Sequence, residues 1–188
     1  MSLTQYYTAT SLDGFIADPE HSLEWLFAVP RGDDHPDLFT PFMDEVGAVA
    51  MGASTFDWVV EHESMGEEPQ KWAEAFGGRP CWVFTSQRRD HLPPLPGLTF
   101  VSGDVAAVHG DMVAAADGGN VWLAGGGDLV GQFDDAGLLD EVHVGIQPVL
   151  LGAGAPLLPR RIDSDRLSLR SVDRVGQEIQ AVYEVRAR

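Results

Sequence analysis

The chain has 188 residues, 44% of them hydrophobic and 22% charged, enough to bury a sizeable core within one domain. A formal charge of −17 excludes a general nucleic-acid binder, which needs a basic face to neutralise phosphates. One cysteine, Cys81, excludes an intrachain disulfide and a cysteine-based zinc site, and the dispersed histidines show no HxH or HxxxH spacing, so no metal site is expected.

The opening MSLTQYYTATSLDG has neither a basic nor an apolar leader region, and no apolar run approaches the roughly 18 residues of a membrane span. A cytoplasmic protein that binds neither membrane nor nucleic acid is the expectation. Acid is concentrated between Asp13 and Glu74, where the only bases are Arg31 and Lys71. That bias reads either as a solubilising surface or as an acidic rim selecting a cationic or neutral substrate.

In chain order, residues 3–10 are β-prone and open the chain as a strand. Asp13-Gly14 and Asp18-Pro19 are turn signals around a short apolar step, Phe15 to Ala17. Residues 36–45 read as a helix whose Pro41 must lie near its start or at a kink. The apolar run 46–52 predicts a buried strand, and 53–62 a helix with Phe56, Val59 and Val60 at helical spacing. Strands follow at 80–86 and 97–102, then a helix over 104–116 with Asp104 as N-cap. Residues 120–124 form the next strand, and 128–136 the next helix. The segment 140–150 alternates, with Val142, Val144 and Ile146 opposite Glu141, His143 and Gln147. Two final strands join through Val175-Gly176-Gln177 as a hairpin. This order predicts an α/β fold, with a mixed, mainly parallel sheet, helices on both faces and an antiparallel C-terminal hairpin, all in a single domain over 1–188.

Sheets of this kind bind ligands at the carboxyl ends of their strands. Gly125, Gly126 and Gly127 stand where a strand runs into a helix, either as a soft turn or as a backbone cradle for a phosphate. Asp128 suits a helix start but repels a phosphate placed too close. The stretch is neither GxGxxG nor a P-loop. Gly52, Ala53, Ser54 and Thr55 form a second such junction, and Thr85-Ser86, with Arg88 and Arg89 behind it, a third. Together the three strand ends could hold the two phosphates and adenosine end of a dinucleotide, with Arg88 near an extra phosphate.

YTATSLDGFIAD, SLEWL, MGASTFDWV and AGGGDLVGQFDDAGLLDEVHVGIQPVLLGAGAPLLP, quoted from this chain, resemble the dihydrofolate-reductase-like family. They are most similar to the reductase domain at the C-terminus of bifunctional riboflavin-biosynthesis deaminase-reductases. The resemblance spans nearly the whole chain. The deaminase half is missing, since no HxE…PCxxC pattern occurs. The resemblance implies a three-layer fold with an eight-stranded sheet, a homodimer and NADPH bound across the strand ends. It assigns cofactor contacts to Ala9, Ile16 and Gly52–Thr55, places Ser86 beside the adenosine, and makes Gly125–Leu129 the pyrophosphate cradle. Trp25 matches a tryptophan lying where nicotinamide meets substrate. The segment around Ile16 matches a mobile loop that closes over the nicotinamide.

Two departures bear on substrate. Ala53 stands where the family often has an arginine for the 2′-phosphate of NADPH, so NADH stays open. Leu123 stands where riboflavin-pathway reductases carry a glutamate, and no arginine lies in 52–65 to bind a ribose phosphate. The resulting expectation is an NAD(P)H-dependent reductase passing hydride to a C=N or C=O carbon of a small heterocyclic or carbonyl substrate. Asp37 and Glu24 are the candidate proton donors, and Asp13 either shapes the SLDG turn or is a further carboxylate near substrate. The alternatives are a non-catalytic dinucleotide-binding or regulatory protein and a true dihydrofolate reductase. If a dimer forms, the alternating strand at Val142–Ile146 could pair or pack across its interface.

Overall fold

A computed structural model of the chain describes residues 2–30, 36–65, 67–87 and 94–187. Strands β1 (Thr4–Ser11), β3 (Val46–Gly52), β4 (Cys81–Phe84), β5 (Leu98–Val101), β6 (Asn120–Gly125), β7 (Glu141–Gln147), β9 (Leu167–Val175) and β10 (Glu178–Val185) make one sheet in the order β5-β4-β3-β6-β1-β7-β10-β9. Every neighbouring pair is parallel except those made by β10, which runs against both β7 and β9. Two short strands, β2 (Phe15–Ala17) and β8 (Ala155–Pro156), pair antiparallel beside it.

Strand alternation sorts the core into two layers. Ala48, Ala50, Trp82, Leu123, Val142 and Val144 face the layer built with Met112, Val130 and Phe133 from helices α5 (Val105–Ala115) and α6 (Gly127–Asp135). Val49, Met51, Cys81 and Val83 face the other, with Met43, Phe56 and Trp72 from α2 (Phe39–Asp44), α3 (Ala53–His62) and α4 (Gln70–Phe76). A four-residue helix, α1 (Glu24–Phe27), precedes α2. Pro41 is the third residue of α2, where its missing N–H has no intrahelical bond to make. Asp104 caps α5, accepting the Ala106 N–H at 2.9 Å.

Two helices and the short strands β2 and β8 escaped the sequence reading. Helix α4 follows Pro69 and ends at Gly77, whose φ of +60° closes it in the left-handed region. Helix α1 is too short for periodicity to reveal. Strand β7, read as half-buried from its alternation, has both of its edges paired within the sheet. That strand lies between β1 and β10, with Val142 and Val144 buried, because the tail hairpin folds back onto it.

Candidate functional site

Strands β3 and β6 are neighbours, so their two strand-to-helix junctions come off the sheet side by side. A Cβ placed on Gly52 would lie 3.6 Å from the Gly126 nitrogen. Gly52 and Gly126 are the N-caps of α3 and α6, and neither helix has a side-chain cap, unlike α5. The first-turn N–H groups of both helices, which have no partner within a helix, therefore converge on one place with the positive ends of two helix dipoles behind them.

The three glycines of the β6–α6 junction have different reasons to be glycine. Gly125 has a φ of +126°, which only glycine adopts readily, and the Gly125–Gly126 peptide is cis. A Cβ on Gly127 would collide with the carbonyl oxygens of Pro156 and Leu157. Gly126 has φ −79°, and a Cβ there would meet nothing closer than the Thr55 hydroxyl at 4.0 Å. Its bare backbone faces a cavity of about 300 Å³. The fold accounts for Gly125 and Gly127. Gly126 is the one whose missing side chain leaves room for something else.

Ser54, Thr55 and Trp58 from α3, Gly126 to Asp128 from α6, and Ile16 with Ala17 from β2 line this smaller cavity. A larger one of about 830 Å³ adjoins it, and Thr8, Leu23, Trp58 and Ala124 line both. Ala9 and Asp37 line the larger, together with an aromatic wall that includes Tyr7, Phe39 and Trp122. Its charged lining residues among those described are Asp37, Glu63 and Glu178, and no described base joins them.

Asp128 does not spoil the junction. Its carboxylate turns to Arg160 at 3.1 Å and accepts Gln132 Nε2 at 3.1 Å, so an arginine balances the charge next to the glycines. Leu129 packs its side chain in the core and can offer only its backbone N–H. Ala53 is the first residue of α3 and Gly52 its cap, both contributing backbone alone. Gly52 pairs with Phe84, so Thr85 and Ser86 leave the sheet beside the Gly52–Thr55 turn, although neither lines a cavity. Thr85 accepts the Gln87 N–H at 3.1 Å. Arg88 and Arg89 lie outside the described residues.

Four expectations change. Helix α1 turns Leu23, Leu26 and Phe27 towards the larger cavity, and the 100° step per residue carries Glu24 and Trp25 off that face, so neither lines a cavity. The Trp25 Nε1 is buried without a hydrogen-bond partner. Asp13 lines neither cavity. It accepts the Ser11 hydroxyl at 2.6 Å and the N–H groups of Leu151 and Gly152 at 3.1 and 2.7 Å, contacts that hold its carboxyl below the ordinary value. It is a loop tether. Asp37 accepts the N–H groups of Phe39 and Thr40, each at 3.0 Å, at the start of α2. The Thr40 hydroxyl and these N–H groups lower its pKa, which suits an acceptor and not an acid at neutral pH. The segment around Ile16, expected as a loop, is the paired strand β2.

Trp58, which lines both cavities, was missed by the sequence reading. Once Ser54 and Thr55 are placed at the site, helical spacing puts Trp58 on the same face. Gln147, Glu178 and Gln180, at the far end of the larger cavity, were also missed as site residues.

The family model for the RibD C-terminal domain matches residues 59–181. The chain belongs to the RibD C-terminal domain family. Its relatives include the uncharacterized protein YwjB of Bacillus subtilis (strain 168), 30% identical over 180 residues and 96% of both chains. The crystal structure of a putative riboflavin biosynthesis protein from Shewanella sp. PV-4 superposes with a TM-score of 0.73 at 26% identity, covering 99% of each chain. The RibD-family fold of this chain is also that of dihydrofolate reductase. The Enterococcus faecalis enzyme, solved in complex with NADP(H), matches at a TM-score of 0.57 and 17% identity over 97% of this chain and 96% of its own. Among the described residues, no helix is long and apolar enough to cross a membrane.

Proposed function

We propose that this RibD-family protein is an NAD(P)H-dependent reductase that works in the paired cavities. Two uncapped helix starts converging on the bare backbone of Gly126, at the wall of the smaller cavity, carry this reading. Such a junction binds a pyrophosphate through main-chain N–H groups and helix dipoles. Ser54, Thr55, Trp58 and Ile16, which line the same cavity, would hold the nicotinamide end.

When bound, a reduced nicotinamide supplies a hydride for a C=N or C=O carbon. The chain supplies positioning. Thr8, Leu23, Trp58 and Ala124, common to both cavities, mark where two ligands would meet, and holding them there removes the entropy of encounter. Leu26, Phe27 and Phe39 give the larger cavity an apolar wall for a substrate ring to lie against. Asp37, kept ionised, orients a hydrogen-bond donor and does not deliver the proton.

Fluorescence titration with NADPH and with NADH, read through Trp58, tests the reading, followed by a screen of carbonyl and heterocyclic compounds for NADPH oxidation. Failure to bind either dinucleotide refutes it. Tight binding without turnover across the screen would favour a non-catalytic dinucleotide-binding protein. We propose a cytoplasmic homodimer as well. Leu169, Val172 and Ile179, exposed on one face of the β9–β10 hairpin, are the side chains such contact would cover. Light scattering on the purified chain measures its mass.

A further inference from the structure

The end of the larger cavity away from the glycines is closed by β7 and β10. Gln147, 1% exposed, and Glu178, 5% exposed, lie there with Gln180. Gln147 Nε2 donates to Glu178 Oε2 at 2.6 Å, and Gln180 Nε2 donates to Glu178 Oε1 at 2.7 Å. Gly145 makes this possible, because a Cβ on it would lie 2.6 Å from Gln180 Nε2. The carboxylate sets the amide orientations. It can only accept, so it must draw the NH2 group of each glutamine, and the two carbonyl oxygens are left to face elsewhere. Gln147 Oε1 is buried and has no hydrogen-bond partner.

An unsatisfied buried acceptor is costly and unusual in a folded protein. Here the residue that carries it lines a cavity whose described charged groups are all carboxylates. A ligand group that fits must bring N–H donors and no negative charge. We propose that Gln147, Glu178 and Gln180 form a specificity subsite for the N–H face of the substrate, such as an amide, an amidine or an amino-substituted nitrogen heterocycle. The subsite rests on the reading of this cavity as the substrate side of a reductase. It turns away phosphorylated and carboxylated compounds, because the described lining offers them no cation.

Benzamidine, benzamide and acetophenone, which share an apolar ring and differ in N–H donors, test the subsite by calorimetry on the unaltered protein without cofactor. Benzamide and acetophenone are both neutral, so their comparison separates donor recognition from attraction of cations to an acidic protein. Both nitrogen compounds should bind about tenfold or more tightly than acetophenone, with dissociation constants on the order of 1 mM. Gln147→Leu should abolish that preference and leave NADPH affinity unchanged. Gln180→Met, at a less buried position, should weaken it, which keeps a variant in hand if Gln147→Leu does not fold. Equal binding of benzamide and acetophenone, or a preference that survives both substitutions, overturns the subsite. If donor preference fails while NADPH still binds, the reductase reading stands alone. If the preference depends on Gln147 but neither dinucleotide binds, the subsite stands and the reductase reading falls.

Discussion

Replacing Gly126 and Gly127 separately by alanine divides a ligand-facing glycine from a packing glycine. At Gly127 the new Cβ would run into the Pro156 and Leu157 carbonyls, which belong to backbone and cannot swing aside. Overpacking of this kind costs about 1–3 kcal/mol. At roughly 2–4 °C per kcal/mol for a chain of this size, Tm should fall by about 2–12 °C. At Gly126 the φ of −79° suits alanine, and the methyl group would touch only the Thr55 hydroxyl at 4.0 Å, so Tm should scarcely move. The same methyl group would stand between the converging N–H groups and a phosphate. Loss of one charge-assisted hydrogen bond is worth about 1.5–3 kcal/mol, equivalent to about a ten- to hundredfold rise in Kd. Thermal unfolding and dinucleotide titration of both variants measure the two quantities. Gly126→Ala binding NADPH and NADH as the parent does would refute the cradle, and an unshifted Tm for Gly127→Ala would refute the packing account.

Three further outcomes are expected. Arg166 holds the fully buried Asp134 through contacts of 2.6 and 3.2 Å, so Arg166→Met removes the guanidinium side of a buried ion pair at a cost of about 3–5 kcal/mol, read as a Tm loss of about 6–20 °C. A Tm within a degree of the parent would mean that the pair does little for the fold. Burial lowers the pKa of His109, partly opposed by the charge of Asp140, so the unfolded chain takes up this proton first as pH falls. Stability should therefore decline from about pH 6.5 downward, and the urea midpoint of His109→Gln should fall less between pH 7.5 and 5.5. An identical decline in that variant would assign the loss to other groups. Asp37 is ionised well below neutrality, so Asp37→Asn should leave the acid limb of a kcat/KM–pH profile in place. A limb that moves with the substitution would make Asp37 the proton donor after all.

Much of the site was legible in local pattern. Strand-to-helix junctions at Gly52–Thr55 and Gly125–Leu129 are short-range features, set by an apolar run, a glycine and the start of helical spacing. The family resemblance rests on the same stretches. What failed was orientation. Nothing local says which way a four-residue helix turns its side chains, so Trp25 and Glu24 were placed at the cleft while Leu23, Leu26 and Phe27 occupy it. Asp37 read as a proton donor and Asp13 as a carboxylate near substrate because their partners, the start of α2 for one and the Leu151 and Gly152 N–H groups for the other, become visible only with the chain folded.

The sequence by itself determined the periodicities, and with them the order of the longer strands and most helices, the two-sided burial of β3 and the glycine junctions. These follow from side-chain chemistry over a few residues. Tertiary structure alone decided that β10 runs back along β7, bringing Glu178 and Gln180 to Gln147 across 31 and 33 positions of sequence. The polarity of those residues is plain in the sequence. That one amide oxygen among them is buried and unsatisfied depends on a register between distant strands, which no local pattern encodes.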